Sequence, residues 1–269
     1  MIPGTESSGN SALAWCLHQV RLFFTALQFF TRLPVPRWVG FEPDWLHHAS
    51  RYFPLVGIVV AAVTGGVHAL AALLWPPLVA ALLSTMAGIY LTGAFHEDGF
   101  ADTCDGFGGG ATPQRIMEIM KDSRIGAYGA IGISLLLALK CAALSDMPTP
   151  AALAALFIAH PLSRLAAASL ILRLDYARTE GKAKPLAQHM SAAEFMIAAI
   201  TACLPAMVLC LAGWMSWRGM AVSAIAAALA TIWLAGFFQR RIGGFTGDCL
   251  GAVQQVTEVV LYLGMLACL

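Results

Sequence analysis

Charged side chains are scarce in this sequence. Only 12% of its 269 residues are Asp, Glu, Lys or Arg, whereas 59% are hydrophobic and the mean hydropathy is +0.73. A soluble domain is about one quarter charged and about half apolar. The composition therefore excludes a disordered chain, a collagen and an ordinary soluble enzyme, and it indicates one membrane-embedded bundle. The net charge of +1 provides no basic field for nucleic acid, so no nucleic-acid partner is expected.

Three further absences argue against a cysteine-based site, a duplicated transporter and a cleaved signal peptide. The seven cysteines include no Cys-x-x-Cys pair and most lie in apolar runs, so we interpret them as buried free thiols. No internal repeat is evident, which argues against a transporter built from duplicated halves. No small-residue cleavage site follows the first apolar segment, so a cleaved signal peptide is not expected.

Long apolar runs dominate the sequence instead. Seven of them approach the ~20 residues that cross a bilayer core, and they lack the alternation of a β-barrel strand. Because only structures with closed backbone hydrogen bonding cross the hydrocarbon, we predict an all-α fold, a polytopic membrane helical bundle. The predicted spans are 52–75, 78–95, 127–144, 151–172, 195–214, 220–238 and 252–269.

The N-terminal region is predicted separately. Residues 12–30 form an apolar pattern that carries His18 and Arg21. This helix either spans the membrane or lies in the interface as an amphipathic helix, and the interface is favoured. Residues 1–11 are predicted to be a disordered tail, which leaves 12–269 as a single integral membrane domain.

Basic residues are distributed unevenly among the loops. Twelve of the 16 Lys and Arg residues fall in four loops, which are 32–51, 96–126, 173–193 and 239–250. The intervening loops hold only Arg218, and the other three basic residues lie within apolar segments. Since short basic loops face the cytoplasm, we predict that these four loops are cytoplasmic.

The first candidate site is an acidic segment followed by glycines. Asp98, Asp102 and Asp105 are spaced i, i+4 and i+7, so they share one stripe if the preceding helix continues through them. Three carboxylates on one stripe repel each other unless a cation lies among them. Mg²⁺ is the usual hard cation where phosphates complete the shell. We therefore predict metal ligands here, together with Glu97, and expect the glycines at 108–110 to break the helix and let backbone approach a ligand. A solvated acidic loop is the alternative.

The second candidate segment begins at Thr112-Pro113, which is typical of an N-cap and a first helical residue. A short helix through Lys121 is expected. The run Lys121-Asp122-Ser123-Arg124 then places an acid between bases at a membrane entrance. This mixture suits a metal ligand beside a phosphate clamp, and ordinary charge pairing at a helix end is the alternative.

The third candidate segment precedes the last apolar run. Thr246 is expected to cap that helix and to place Asp248 in its first turn, where the helix dipole favours an anion. Asp248 is then either a dipole partner or a metal or proton-handling group. Glu258 lies about two turns inside the predicted span that starts at 252, where a carboxylate is costly and usually functional.

Two basic residues are also predicted inside the membrane. Arg164 shares a helix face with His160 at i, i+4 and is expected to face the bundle interior. It either holds a substrate phosphate or pairs with a carboxylate, and the sequence does not separate these two roles. Lys140 is expected to snorkel towards the membrane surface.

Together the three segments resemble one family. The matching patterns are Ala101-Asp102-x-x-Asp105-Gly106, then Lys121-Asp122-Ser123-Arg124-Ile125-Gly126-x-x-Gly129, and then Gly243-Gly244-x-Thr246-Gly247-Asp248-x-Leu250-Gly251-Ala252. In this order and spacing, over about residues 15–265, they resemble the cobalamin synthase family, the adenosylcobinamide-GDP ribazoletransferases of the bacterial inner membrane.

The resemblance implies a reaction and its partners. In it α-ribazole, or its 5′-phosphate, attacks the β-phosphorus of adenosylcobinamide-GDP and GMP leaves. The resemblance also implies Mg²⁺ dependence, in agreement with the carboxylate pattern. The lipid bilayer is an expected partner. The resemblance also leaves open a homo-oligomer or an association with other cobamide-assembly enzymes.

The expected mechanism is phosphoryl transfer that rests on positioning and charge. The acidic stripe holds one or two Mg²⁺ ions that bridge the pyrophosphate. Asp122 or Asp248 completes the metal shell or accepts the proton of the attacking ribose hydroxyl. The predicted phosphate-binding residues are cationic side chains and members of the glycine-rich turns: Lys121, Arg124, Arg164, Gly108, Gly109, Gly243, Gly244 and Thr246.

Three other functions remain open at this stage. A CDP-alcohol phosphotransferase is also a membrane enzyme that uses Mg²⁺ and carboxylates, but its pattern requires an Arg where Asp102 follows Ala101. A cation or proton transporter would place its acids near the midplane of the bilayer, whereas most lie at one edge. A non-catalytic scaffold gives no reason for three Asp residues at helical spacing.

Overall fold

The computed structural model describes residues 6–42, 44–177 and 189–269, and these residues are predominantly helical. The predicted all-α fold is confirmed. Short 3-10 turns lie at Arg37–Val39 and Ser50–Tyr52. The α-helices are α1 (Glu6–Phe30), α2 (Trp45–Ala49), α3 (Phe53–Ala71), α4 (Pro77–Thr92), α5 (Phe95–Gly109), α6 (Pro113–Ile119), α7 (Ala127–Ser145), α8 (Thr149–Arg173), α9 (Ala192–Leu211), α10 (Trp217–Ile242) and α11 (Gly247–Leu266).

Most of the predicted spans correspond to single helical segments. Six segments of the described chain are long and apolar enough to cross a membrane, and a bent pair brings the number to seven. The polytopic membrane fold is thereby confirmed. The six segments are Trp45–Ala71, Ala127–Ser145, Thr149–Arg173, Ala192–Leu211, Trp217–Ile242 and Gly247–Leu266.

The bent pair is the region predicted as the span 78–95. Helix α4 ends at Thr92, and α5 begins at Phe95 after a bend of 90°. Gly93 and Ala94 form the bend with φ of 67° and 60°, in the left-handed region that is uncommon for a residue with a side chain. The expectation that the preceding helix continues through the acidic segment is therefore wrong, because the three Asp residues lie on the separate helix α5.

Helix α1 is not among the candidate spans. Its buried residues Leu22, Ala26 and Phe30 recur every four positions, while Leu13 and Trp15 are exposed, as in a helix that lies along a surface. This pattern favours the interfacial alternative. The helix begins at Glu6, inside the segment predicted as a tail, and residues 1–5 lie outside the described part of the chain.

Helices α8 and α11 form the centre of the bundle. The membrane windows of both are 67% buried, compared with 28% for α9 and α10 at the periphery. Helix α11 packs against α5, α7, α8 and α10, and α8 also packs against α3 and α9. Polar side chains such as Arg164 on α8 and Glu258 on α11 therefore lie inside the protein rather than in lipid.

Three of the four basic loops meet at one end of the bundle. Arg241, at the end of α10, donates a 2.7 Å hydrogen bond to the carbonyl oxygen of Gly110. The N–H of Phe245 donates to the carbonyl oxygen of Asp175 at 3.0 Å. These bonds join the loops that follow α5, α8 and α10. The basic residues Arg178, Lys182 and Lys184 of the third loop lie outside the described residues.

Candidate functional site

The first and third candidate segments meet where α5 crosses α11. A Cβ atom built on Gly99 would lie 3.1 Å from the Cα and from the carbonyl oxygen of Asp248. One turn further along, a Cβ atom on Gly251 would lie 3.1 Å from the carbonyl oxygen of His96. The two backbones approach this closely because both helices carry glycine at the crossing. The acidic segment and the start of the last helix are thus parts of one site.

Two aspartates of α5 lie next to this crossing. Asp102 is one turn from Gly99 on the same helix face and is partly buried. Asp98 directly precedes Gly99 and is exposed. Both carboxylates therefore belong to the region of α5 that contacts the start of α11.

Thr246 caps α11, as predicted. Its hydroxyl oxygen accepts a hydrogen bond from the N–H of Cys249 at 3.3 Å, and the hydroxyl lies 3.4 Å from a carboxylate oxygen of Asp248. Asp248 is partly buried in the first turn of α11, where the helix dipole stabilises a negative charge. The cap thus fixes Asp248 at the α5–α11 crossing.

Asp105 has a different environment from the other two aspartates. Its carboxylate accepts hydrogen bonds from the backbone N–H of Gly126 at 2.6 Å and of Gly129 at 2.8 Å. Both donors belong to the start of α7, whose first N–H groups have no partner within the helix. A Cβ atom at either glycine would overlap this carboxylate. Asp105 therefore attaches the second candidate segment to α5.

Glu97 points into the bundle. It is buried, and one of its oxygens accepts a 2.9 Å hydrogen bond from the side chain of Gln255 on α11. The other oxygen has no protein partner. Glu97 is thus connected to the buried polar residues of α11.

A buried ion pair explains Glu258. One oxygen of Glu258 lies 2.5 Å from the ammonium group of Lys140 and accepts a 2.9 Å hydrogen bond from Tyr262. The other oxygen accepts a 2.6 Å hydrogen bond from Gln254 and lies 3.4 Å from His160. The expectation that Lys140 snorkels is wrong, because only 6% of its side chain is exposed and its charge is held by Glu258.

Arg164 faces the bundle interior, as predicted. It is 3% exposed and donates a 2.9 Å hydrogen bond to the carbonyl oxygen of His160 on the same helix. It lies near the buried carboxylates Glu97 and Glu258, with which it lines one small internal cavity. Its position is within the bundle.

The aspartates at the crossing suit one class of metal ion. Among the described residues, no group of three or more His, Cys, Asp or Glu side chains is arranged to hold a metal by itself. Mg²⁺ is usually bound by one or two carboxylates, with substrate phosphates and waters completing its shell. Asp98 and Asp102, one turn apart on α5, provide two carboxylates of this type, so the residues present fit Mg²⁺ bound together with a phosphate substrate.

The second candidate segment borders an open cleft of about 570 Å³. Asp122 accepts hydrogen bonds from the backbone and the guanidinium of Arg124, at 2.7–3.0 Å, and this pairing lowers the pKa of Asp122 to about 2. Asp122 in turn raises the pKa of Arg124. Lys121 is exposed beside them. The Thr112 cap is confirmed by a hydrogen bond from the N–H of Arg115, but α6 ends at Ile119 rather than at Lys121.

The predicted glycine turns have mainly structural roles. Helix α5 ends at Gly109 and is followed by extended backbone at Gly110, so the glycines end the helix as expected, and Gly108 packs against the ring of Tyr128. Gly243 ends α10 with a left-handed φ of 75°. Gly244 contacts the carbonyl group of Asp175 so closely that a side chain would overlap it.

An aromatic pocket that the sequence analysis did not predict lies beside the crossing. It is a small cavity of about 30 Å³, and its lining also includes Gly247, Leu250 and Gly251 of α11. Its rings come from segments far apart in the sequence, so no local pattern announces it. We call it the aromatic pocket and define it by Phe30, Phe53, Phe95, His96, Arg164, Ala167, Tyr176 and Phe245.

Comparison with known proteins identifies the family of this chain. The cobalamin-5-phosphate synthase family matches residues 22–266. An adenosylcobinamide-GDP ribazoletransferase of Leptothrix cholodnii is 48% identical over 95% of this chain and 98% of its own length. One of Shewanella frigidimarina is 46% identical over 96% of this chain and 98% of its own length. No solved structure shows significant similarity. The chain is therefore an enzyme of the cobalamin-5-phosphate synthase family, a transferase of cobalamin biosynthesis.

Proposed function

We propose that this enzyme transfers α-ribazole, or its 5′-phosphate, to adenosylcobinamide-GDP in a Mg²⁺-dependent reaction that releases GMP. The names of its relatives supply the two substrates. The observation that carries the proposal is the contact between Gly99 and Asp248, because it brings acids from two distant segments to one place. Transfer of a phosphoryl group requires such a collection of charges around the pyrophosphate.

Asp98 and Asp102, one turn apart on α5, are the residues that would hold Mg²⁺, and Asp248 would either complete its shell or accept the proton of the attacking hydroxyl. When bound, the ion neutralises the charge on the pyrophosphate and on the leaving GMP. The capped first turn of α11 holds Asp248, and the contact with Gly99 fixes that turn against α5. Pre-positioned carboxylates lower the barrier because little reorganisation remains at the moment of reaction.

Asp248 is the better of the two predicted proton acceptors. The guanidinium of Arg124 keeps the pKa of Asp122 at about 2, and such a carboxylate is a weak base at neutral pH. Asp248 lies at the crossing, where the attacking hydroxyl must be brought to the phosphorus. Lys121 and Arg124 are exposed, and Arg124 lines the open cleft, where both provide positive charge for the leaving nucleotide.

The most direct experiment measures GMP release by the purified enzyme in lipid nanodiscs. With adenosylcobinamide-GDP, α-ribazole and Mg²⁺ we expect GMP and a cobamide product in equal amounts, and with EDTA we expect neither. The variant Asp146→Asn, which removes a carboxylate at the far end of α7 from the site, should release GMP at the wild-type rate. Release of CMP from a CDP-activated lipid alcohol, without GMP release, would instead establish the alternative phosphotransferase.

We also propose that the enzyme lies in the bacterial inner membrane with the site on the cytoplasmic side. The support is the basic bias of the loops, three of which meet at one end of the bundle. In a Cys-free background, cysteines at positions 110 and 244 should react from the cytoplasm, and one at 148 should react from the opposite side. Reaction of 110 and 244 from different faces would exclude a single site.

A further inference from the structure

We propose that the aromatic pocket is the binding site for the planar heterocyclic base of the nucleoside substrate. This inference rests on the proposed function and deepens it. It assigns recognition of the nucleoside to residues that lie inside the bundle, separate from the acids at the crossing. Three properties of the pocket carry it: its walls, its unpartnered polar atoms and its charge balance.

The walls of the pocket are rings. The centroids of Phe30 and Phe53 are 4.5 Å apart in an edge-to-face arrangement, and Phe95 packs edge-to-face on Phe30 at 5.4 Å. On the other side, Phe245 packs against Tyr176 at 5.5 Å. Aromatic rings prefer to pack against other rings in this way, and they add stabilisation beyond the area they bury. A pocket bounded by rings therefore favours a flat aromatic ligand.

Two buried polar side chains line the same pocket without complete hydrogen bonding. His96 is 5% exposed, and neither of its ring nitrogens has a protein partner. Arg164 is 3% exposed, and its Nε has no partner. Buried polar atoms in proteins are nearly always satisfied, so such atoms need a ligand or water. The ring nitrogens of a heterocyclic base are suitable hydrogen-bonding partners for these groups.

The charges around the pocket favour a neutral ligand. The buried cations Lys140 and Arg164 are balanced by the buried anions Glu97 and Glu258, which line the adjoining internal cavity. A phosphate placed here would add a buried charge without a counter-charge, which is costly. Of the two roles left open for Arg164, the structure thus favours proximity to carboxylates over binding of a phosphate.

The pocket also lies next to the α5–α11 crossing. Its wall includes Gly247 and Gly251, which flank Asp248 in the first turns of α11. A base held in the pocket therefore leaves its ribose close to Asp248 and to the α5–α11 crossing. A pocket that positions the nucleoside in this way would bring a ribose hydroxyl to the reacting phosphorus.

The present cavity, about 30 Å³, has room for one or two waters. A bicyclic base therefore enters only if lining side chains turn outwards, a change that commonly accompanies binding. Ala167 provides the smallest side chain among the residues that define the pocket, and it offers a way to block it. Ala166, the next residue on α8, lines a different groove, next to α10, and is a matched control.

The test compares Ala167→Leu with Ala166→Leu in two measurements. Equilibrium dialysis measures the binding of α-ribazole alone, and steady-state GMP release measures KM for each substrate. We expect Ala167→Leu to weaken α-ribazole binding and to raise its KM by about tenfold or more, with KM for adenosylcobinamide-GDP unchanged. Ala166→Leu should match the wild type in both. Unchanged α-ribazole binding by folded Ala167→Leu, or an equal rise of both KM values, would overturn the proposal.

A second variant keeps the test decisive if Ala167→Leu does not fold. Phe245→Leu removes a ring but keeps an apolar side chain, and it should weaken α-ribazole binding by about three- to tenfold. Normal binding by this variant also rules out the pocket. If the wild type binds α-ribazole but releases no GMP, and the two variants lose α-ribazole binding, the proposed reaction fails and the pocket stands. If GMP release is normal and the substitutions have no effect on α-ribazole, the pocket fails alone.

Discussion

Gly99 of α5 packs against the backbone of Asp248 in α11, and a methyl group on Gly99 would lie 3.1 Å from the Cα and the carbonyl oxygen of Asp248. The two residues are far apart in the sequence, yet this contact places the carboxylate of Asp248 beside the acidic segment of α5. The proposed reaction depends on it, since both helices contribute acids to the site.

Gly99→Ala should therefore lower kcat while the protein still folds. The added methyl group pushes α5 away from the start of α11, and a small displacement of reacting groups costs a large part of the rate, here about tenfold or more. The control is Gly66→Ala, since a Cβ atom there meets nothing within 4 Å. GMP release and thermal unfolding of both variants provide the check. Wild-type kcat in Gly99→Ala would show that the spacing of the helices is not critical.

Asp105 should respond differently from Asp102. Asp105→Asn keeps one acceptor oxygen but weakens the attachment of α7, so we expect a loss of about 1–3 kcal/mol in the free energy of unfolding. The Mg²⁺ concentration needed for half-maximal activity should stay the same. Asp102→Asn, in contrast, should raise that concentration strongly. An equal rise in Asp105→Asn would establish Asp105 as a metal ligand, as the spacing in the sequence suggests.

The pair of Lys140 and Glu258 should behave as a buried ion pair. Lys140→Met or Glu258→Met alone leaves a buried group without its partner, and we expect each to cost about 3–5 kcal/mol of stability. The double variant Lys140→Met with Glu258→Met should recover much of that loss, because two apolar side chains replace two charges. Unfolding temperatures in one detergent measure all three. Additive losses in the double variant would show that the two residues do not interact.

Asp122 should not contribute to the pH dependence near neutrality. Its pKa is lowered from 3.8 to about 2, so the stabilising pairing with Arg124 is fully present above pH 3.8 and is lost as the pH falls through 2. Between pH 5 and 9 Asp122 stays ionised. Asp122→Asn should therefore leave the pKa values of the kcat/KM profile unchanged, even if the rate falls. A shift of the acid limb in this variant would assign that proton transfer to Asp122.

Much of the fold could be predicted from the sequence because apolar runs of the required length leave few alternatives. The caps at Thr112 and Thr246 were also predictable, since their signals are local. The bend at Gly93 and Ala94 was not, because the apolar run continues up to Phe95 and hides it. Because of this bend, Asp98 lies on α5 and not on a continuation of α4.

The site was only partly accessible to sequence reasoning. The spacing of the aspartates identified the acidic helix, but spacing cannot show that Asp105 binds the start of α7. Lys140 was expected at the membrane surface because its partner, Glu258, lies more than a hundred residues away. The aromatic pocket is assembled from five separated segments, so no pattern in the sequence contains it.

The central claim is that carboxylates of α5 and α11 act in one Mg²⁺-dependent site. A double-mutant cycle in kcat with Asp102→Asn, Asp248→Asn and the double variant tests it most directly. Residues that act as a unit are strongly non-additive. We therefore predict that either single substitution removes most of the activity and that the double variant is little slower than the slower single one. Independent, multiplicative losses, or a fully active single variant, would contradict a shared site.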